Sequence, residues 1–203
     1  MSETKIRRYF VAAETVLFLI FVFLDLKHYD SSFFKYSGIL LCLIYSVLIR
    51  NKEGSLAFLF TLIADYFLLI RNDHHLCGVL VFVAVQLIYG YILFRKGCRP
   101  FYVLRTVLLF LLLAVLFLLR QFSPLNLLAL FYFSLLLGNF LSSLTEKKLR
   151  LMSAGFLLFL CCDICVGLFN LLDHGPVYAV ASVLMWVFYL PSQVLLAIGQ
   201  KDH

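Results

Sequence analysis

Charged residues are scarce in this chain of 203 residues: they make up 14% of it, while 64% is hydrophobic. A soluble globular domain averages about 25% charged and roughly 45–50% apolar residues. The scarcity of charge therefore excludes a soluble domain and indicates an all-α integral membrane protein. The formal net charge of +6 does not indicate a nucleic-acid partner, because the basic residues sit in short loops between apolar runs.

Several catalytic and metal-binding patterns are also missing. No G-x-S-x-G elbow, phosphate-binding loop or Ser/His/Asp order occurs in the chain. The histidines fall in loops or at the terminus, and the C-x-x-C of Cys162 and Cys165 has no second ligand pair. Cysteines inside apolar runs behave as small hydrophobic residues, so no disulfide framework is inferred. We expect no metal and no other cofactor.

Eight apolar runs have about the length of a membrane-spanning helix, which needs ~20 residues. They occupy residues 9–26, 33–49, 55–71, 76–94, 101–119, 125–144, 150–171 and 177–199. Turn-forming or charged residues separate the runs. Pro124 and Pro176 sit at predicted first helical positions, and Ser123 is a predicted cap for the former. Since lipid forbids open backbone, residues 1–203 are predicted to form a single eight-helix transmembrane bundle.

The seventeen lysine and arginine residues are distributed unevenly over the two sides of this bundle. The N-terminus, the loops near residues 50, 97 and 148, and the C-terminus hold thirteen of them, with Arg105 assigned to the near end of its helix. By the positive-inside rule, both termini are cytoplasmic. The expected location is the bacterial cytoplasmic (inner) membrane, or the endoplasmic reticulum membrane in a eukaryote. The sequence does not fix an oligomeric state.

Two acidic residues interrupt otherwise apolar spans. Asp65 is the lone charge in SLAFLFTLIADYFLLI (55–70), and Asp163 is the lone charge in SAGFLLFLCCDICVGLF (153–169). They lie about 16 and 20 Å along helices that enter from the same side, and so at similar depth near mid-bilayer. A charged Asp at a helix centre costs about 2.5–3.5 kcal/mol, which makes each acid a candidate functional residue.

The segments that contain the two acids resemble each other. SLAFLFTLIAD (55–65) and SAGFLLFLCCD (153–163) share five of eleven residues, with the acids in register. The offset of 98 residues equals four spans, which suggests a parallel four-plus-four internal repeat with a functional site between the halves. The remaining spans align poorly, so the repeat rests mainly on the acids.

A facing pair of buried acids has a definite chemistry. Burial disfavours the charged form of a carboxyl group, and a second carboxylate nearby disfavours it further. A pair pressed together by the third and seventh helices in a dry pocket is therefore expected to keep one proton at neutral pH. The neutral acid is a general acid, and the carboxylate activates water or stabilises a cation. The structural alternative is that each Asp only hydrogen-bonds a neighbouring helix.

Other polar side chains in the spans are candidates to support this pair. Gln86 and Tyr89 are three residues apart on the fourth span, and Tyr189 and Gln193 are four apart on the eighth, so each couple shares a helix face. The alternative interpretation is interfacial tyrosine and hydrogen bonding between helices.

Two charged residues near span ends have simpler predicted roles. Lys35 lies at the non-cytoplasmic entry to the second span, where a lysine commonly anchors the helix and where it is also placed to hold a lipid phosphate. Glu14 is only six residues past Arg8, so we expect its carboxylate to reach the headgroup region.

At this level of detail the chain resembles the YhhN-like lysoplasmalogenases. The matching segments run from about residue 34 to 199 and include both acids, Lys35, Gln86, Tyr89 and the Tyr-x-x-x-Gln of the eighth span. They are FKYSGILL (34–41), SLAFLFTLIAD (55–65), VFVAVQLIYGYILF (81–94), FLLFLCCDICVGL (156–168) and MWVFYLPSQVLLAIG (185–199). The chain departs from the family pattern in having Ala64 where a glycine is usual, Gln86 where many members have histidine, and no proline after Lys35.

The resemblance implies hydrolysis of the vinyl ether bond of a lysoplasmalogen-type lysophospholipid, releasing a fatty aldehyde and a glycerophospho-base. Asp65 and Asp163 would be catalytic, and the other matched polar residues would support or bind the substrate. Lysophospholipid and membrane lipids are then the expected partners. Two alternatives use the same acids differently: a proton-coupled transporter or lipid carrier, in which they relay protons, and a lipid-binding scaffold, in which they are structural.

Overall fold

The computed structural model describes residues 2–27, 29–71, 73–118, 120, 122–172 and 174–200. Leu119 at the end of the predicted fifth span, and the predicted loop residues His28 and Asp173, lie outside these ranges. Within them the chain forms eight α-helices and no strand. The helices are α1 Glu3–Leu26, α2 Ser32–Leu48, α3 Lys52–Asp65, α4 His75–Arg95, α5 Tyr102–Leu118, α6 Pro124–Ser143, α7 Arg150–Leu171 and α8 Pro176–Gly199.

Local sequence chemistry sets several of the helix starts. Pro124 and Pro176 begin α6 and α8, and Ser123 Oγ accepts a 3.1 Å hydrogen bond from the Asn126 N–H, which confirms the predicted cap. Asn51 caps α3 in the same way, accepting a 3.0 Å bond from the Gly54 N–H. These side chains satisfy backbone donors that the first helical turn leaves without a partner.

Six of the helices are long and apolar enough to cross a membrane by length and composition, with α3 counted through to Arg71. The other two, α2 and α5, have 17 residues each and are also apolar. The all-helical architecture and these apolar lengths indicate an integral membrane protein. That all eight helices cross the membrane with both termini inside stays a prediction.

Six helices form a closed ring. Each of α2, α3, α4, α6, α7 and α8 packs against the next, and α8 closes the ring on α2. The two remaining helices lie outside it, α1 against α2 and α8, and α5 against α6. Helices four apart in the chain therefore occupy opposite positions in the ring: α2 faces α6, α3 faces α7, and α4 faces α8. A parallel repeat of four helices predicts this placement.

One end of the bundle carries most of the basic residues, and we call it the basic end. Asn51 Nδ2 donates a 2.8 Å hydrogen bond to Gln200 Oε1, and Lys96 Nζ donates a 2.6 Å bond to the Gln200 carbonyl. In addition, the Arg99 N–H reaches Thr145 Oγ1 at 3.3 Å. The loops near residues 50, 97 and 148 and the end of α8 therefore meet at the same end, as the predicted topology requires.

The prediction for Glu14 is wrong. Its side chain is only 3% exposed and lies between α1 and α2, where Glu14 Oε1 accepts a 3.6 Å hydrogen bond from Cys42 Sγ. The other oxygen, Oε2, is buried without a hydrogen-bond partner among the described residues. Packing of α1 against α2 and α8 encloses the residue, and the distance along the helix from Arg8 does not reveal this packing.

Candidate active site

Asp65 lies at the transition from an α-helix to a π-helix. It is the last residue of α3, and the chain continues without a break as a π-helical segment, Tyr66–Arg71. Single wide turns of this kind occur frequently at functional sites. The Asp65 side chain is buried, and its Oδ2 accepts a 2.7 Å hydrogen bond from the Tyr189 hydroxyl of α8.

Asp163 occupies the equivalent position on α7. The distance from Lys52 to Asp65 and from Arg150 to Asp163 is the same number of residues, about 20 Å of helix. The Tyr132 hydroxyl of α6 lies close enough to the Asp163 carboxyl group to interact with it. Asp163 Oδ2 is buried without a hydrogen-bond partner among the described residues, although the side chain as a whole is partly exposed.

Both acids face the interior of the ring from opposite sides. Tyr189 reaches past α2 to Asp65, and Asp65 also lies within electrostatic range of Tyr132 and Cys162. Asp163 also lies within electrostatic range of the Tyr132 hydroxyl and the Cys162 thiol. The third and seventh helices are not neighbours in the ring, so other helices lie between the two acids along it. That the two carboxyl groups meet in one dry pocket stays a prediction.

A row of packed aromatic rings connects Tyr189 to Tyr132. Tyr189 packs against Phe159 with ring centroids 5.7 Å apart, Phe159 against Phe82 at 6.0 Å, and Phe82 against Tyr132 at 5.7 Å. Trp186 extends the row on the Tyr189 side at 5.7 Å. The row links α8, α7, α4 and α6, so it forms an apolar wall whose two tyrosine hydroxyls each contact one carboxyl group.

Lys35 is not a free anchor. Its ammonium group lies 2.9 Å from Asp25 Oδ2, and Ser31 Oγ hydrogen-bonds the other oxygen of the same carboxylate. The ammonium also lies 4.4 Å from the centroid of the Trp186 ring. Because Lys35 is 8% exposed and already paired, it is poorly placed to hold a lipid phosphate, and its contact with Trp186 connects it to the aromatic row.

Gln86 and Tyr89 lie nearer the basic end than the acids do. Gln86 Oε1 accepts a 2.9 Å hydrogen bond from Asn139 Nδ2 of α6. The Tyr89 ring packs edge-on against Phe156, with centroids 5.4 Å apart. Its hydroxyl interacts with the Gln200 side chain without completing a hydrogen bond of good geometry. Neither residue is brought to the carboxyl groups.

Gln193 is fully buried on α8, one turn closer to the basic end than Tyr189. Its Nε2 donates a 3.4 Å hydrogen bond to Ser192 Oγ, and its Oε1 has no partner among the described residues. Of the four supporting residues predicted on the fourth and eighth spans, Tyr189 is therefore the one found against an acid.

Sequence reasoning missed Tyr132, Phe82, Phe159 and Trp186. The first is a tyrosine in an apolar run without charge, and the others are ordinary aromatic residues of such runs. Their spacing gave no signal, because their role depends on which helices become neighbours. The depth of Tyr132, matched to that of Asp163 on the adjacent α6, was the one available hint.

No curated protein and no solved structure matches the chain. The model of the YhhN family matches residues 30–200, a range that contains Asp65, Asp163 and both of their tyrosine partners. The chain belongs to the YhhN family.

Proposed function

We propose that this protein hydrolyses the vinyl ether bond of lysoplasmalogen-type lysophospholipids in the membrane, with Asp65 and Asp163 as its catalytic acids. The observation that carries the proposal is the arrangement of two carboxyl groups that face one apolar interior, each against a tyrosine hydroxyl. Membership of the YhhN family supports the same reaction class. The products are a fatty aldehyde and a glycerophospho-base.

The reaction requires a proton donor and a carboxylate in one place. One acid delivers its proton to the outer carbon of the C=C–O group, and the resulting oxocarbenium ion carries its charge on the ether carbon and oxygen. Water adds to that carbon and returns a proton to the acid that donated one, while the second carboxylate stabilises the cation, and the product is a hemiacetal. The hemiacetal then transfers its hydroxyl proton to the glycerol oxygen as the C–O bond breaks. One water is consumed, and both acids return to their starting states.

The residues around the acids suit this chemistry. Tyr189 and Tyr132 orient the two carboxyl groups, so less reorganisation is needed as charge develops. The faces of Tyr189, Phe159 and Tyr132 are electron-rich and attract a cation such as the oxocarbenium ion. Asp163 is partly exposed, so part of this residue is open to an approaching substrate.

The deciding experiment measures aldehyde release by purified protein from an alkenyl lysophospholipid. Asp65→Asn and Asp163→Asn should each lower the rate by about a hundredfold or more, the range of a lost general acid or base. Asp73→Asn is the matched control, since Asp73 is an exposed carboxylate paired with Arg71. Unchanged melting temperatures would show that the two acid variants fold.

Two results would contradict the proposal. The first is full aldehyde release by both acid variants. The second is uptake of intact lipid or another solute into liposomes, driven by a pH gradient and abolished by Asp65→Asn, with no aldehyde formed. That second result would favour the transporter, in which the same acids relay protons.

A further inference from the structure

A cleft opens at the basic end between α4, α5 and α6. Helix α5 packs on the outside of α6. The space that remains between α5 and α4 is a cleft of about 300 Å³. Apolar side chains form much of the wall, and the polar groups among them come from all three helices. The lining residues used below are Gln86, Gly90, Arg105, Gly138 and Asn139.

Arg105 supplies a positive charge to this cleft. Its side chain is half-buried, with its guanidinium 5.9 Å from the centroid of the Tyr102 ring. In the described part of the chain, no carboxylate forms an ion pair with it. A half-buried guanidinium without a counter-ion is a strong binding group for an anion that can accept two parallel N–H bonds.

Gln86 places a buried amide group at the inner wall. Asn139 Nδ2 donates to the Gln86 backbone carbonyl at 2.8 Å and to Gln86 Oε1 at 2.9 Å. A backbone carbonyl can only accept a hydrogen bond, so the Asn139 side-chain atom that faces it must be the nitrogen Nδ2. The Gln86 side-chain atom that faces the same Nδ2 must then be the oxygen Oε1. The amide nitrogen Nε2 of Gln86 therefore has no hydrogen-bond partner among the described residues. The residue as a whole is 99% buried.

Two glycines keep the cleft open for these groups. A Cβ at position 138 would lie 3.2 Å from Arg105 Cδ, and a Cβ at position 90 would lie 3.2 Å from Asn139 Oδ1. Either side chain would therefore crowd the cation or the amide that fixes Gln86. The cleft combines a cation, an amide donor and apolar walls, which together match a phosphate ester attached to a hydrocarbon chain.

We propose that this cleft binds the phosphate group of the lysophospholipid substrate, with Arg105 pairing with the phosphate and Gln86 Nε2 donating to it. The identity of the lipid rests on the function proposed above. Phe82 precedes Gln86 by one helical turn, about 6 Å, and its ring packs against Tyr132. A lipid held by its phosphate here directs its glycerol ether along the α4–α6 contact toward Asp163.

The test measures binding and catalysis separately. Binding uses a saturated ether analogue of lysophosphatidylcholine, which has no vinyl group to hydrolyse, and the neutral alkylglycerol that lacks the phosphate. Arg105→Ala should weaken binding of the phosphate lipid by about tenfold to a hundredfold, as expected for a lost charge-assisted contact, and leave the alkylglycerol unaffected. Gln86→Leu should act in the same direction. Arg99→Ala is the matched control, an exposed cation at the same end that does not line the cleft.

In turnover assays, Arg105→Ala should raise KM by a similar factor with kcat nearly unchanged, and Arg105→Lys should recover part of the loss. Equal losses in Arg99→Ala, or a loss that extends to the alkylglycerol, would overturn the site. Displacement of the lipid by millimolar inorganic phosphate alone would show a free-anion site and overturn the lipid assignment. If no variant or wild-type protein releases aldehyde, the binding difference still tests the cleft, so the two proposals fail independently.

Discussion

The Tyr189 hydroxyl donates a 2.7 Å hydrogen bond to Asp65 Oδ2 across the interior of the helix ring. The two residues are 124 positions apart in the chain, and α2 lies between their helices in the ring. This bond fixes one oxygen of the carboxyl group and leaves the other available for chemistry. It also connects the acid to the aromatic row that ends at Tyr132.

Tyr189→Phe should therefore impair catalysis more than folding. The change removes one hydroxyl and keeps the ring that packs against Phe159 and Trp186. We expect aldehyde release to fall by about ten- to a hundredfold, because a hydrogen bond to a charged group is worth roughly 1.5–3 kcal/mol. Tyr178→Phe is the control, since Tyr178 stacks on Phe169 at 4.5 Å and touches neither acid. An equal loss in both variants would remove the special role of Tyr189.

Tyr89→Phe gives the opposite prediction. The Tyr89 hydroxyl is fully buried and lacks a hydrogen bond of good geometry, so its removal costs no strong contact. We expect activity within about twofold of wild type and a melting temperature that is unchanged or higher, because a buried polar group without a partner is costly. Loss of aldehyde release on this change would instead support the role near the substrate that the sequence pattern predicts for Tyr89.

The sequence predicted those features that depend on local chemistry. Apolar run length predicted the helices, Ser123 with Pro124 predicted the start of α6, and the matched registers of Asp65 and Asp163 predicted their equal depth. The partners of the acids could not be predicted in this way. Tyr132 and Tyr189 meet the carboxyl groups because α6 and α8 take particular places in the ring, and apolar spans of similar composition do not encode that order. The partner of Lys35 could not be predicted for the same reason, since Asp25 comes from another helix.

Lys35 and Asp25 form a largely buried ion pair, and removal of one partner alone should destabilise the protein. Both lie near the end of the bundle opposite the basic end, with side chains 9% and 16% exposed. Lys35→Ala leaves the carboxylate without its cation, so we expect a loss of roughly 3–5 kcal/mol in the free energy of unfolding. The double variant Lys35→Met with Asp25→Leu should recover much of this loss, because neither charge remains buried. Thermal unfolding in detergent measures both, and equal destabilisation by the single and double variants would contradict the pair.

Two glycines of α7 provide a matched test of how tightly α7 and α8 are packed. A Cβ at position 155 would lie 3.0 Å from the Ser192 carbonyl and 3.0 Å from the Leu196 N–H nitrogen, both backbone atoms of α8 that cannot move aside alone. A Cβ at position 167 would meet nothing within 4 Å. Gly155→Ala should therefore destabilise the protein by about 1–3 kcal/mol, whereas Gly167→Ala should be neutral or stabilise it by up to about 1 kcal/mol through helix propensity. Because Tyr189 is carried on α8, Gly155→Ala should also lower aldehyde release, and Gly167→Ala should not. Similar melting temperatures for the two variants would show that α7 and α8 are not held at this close distance.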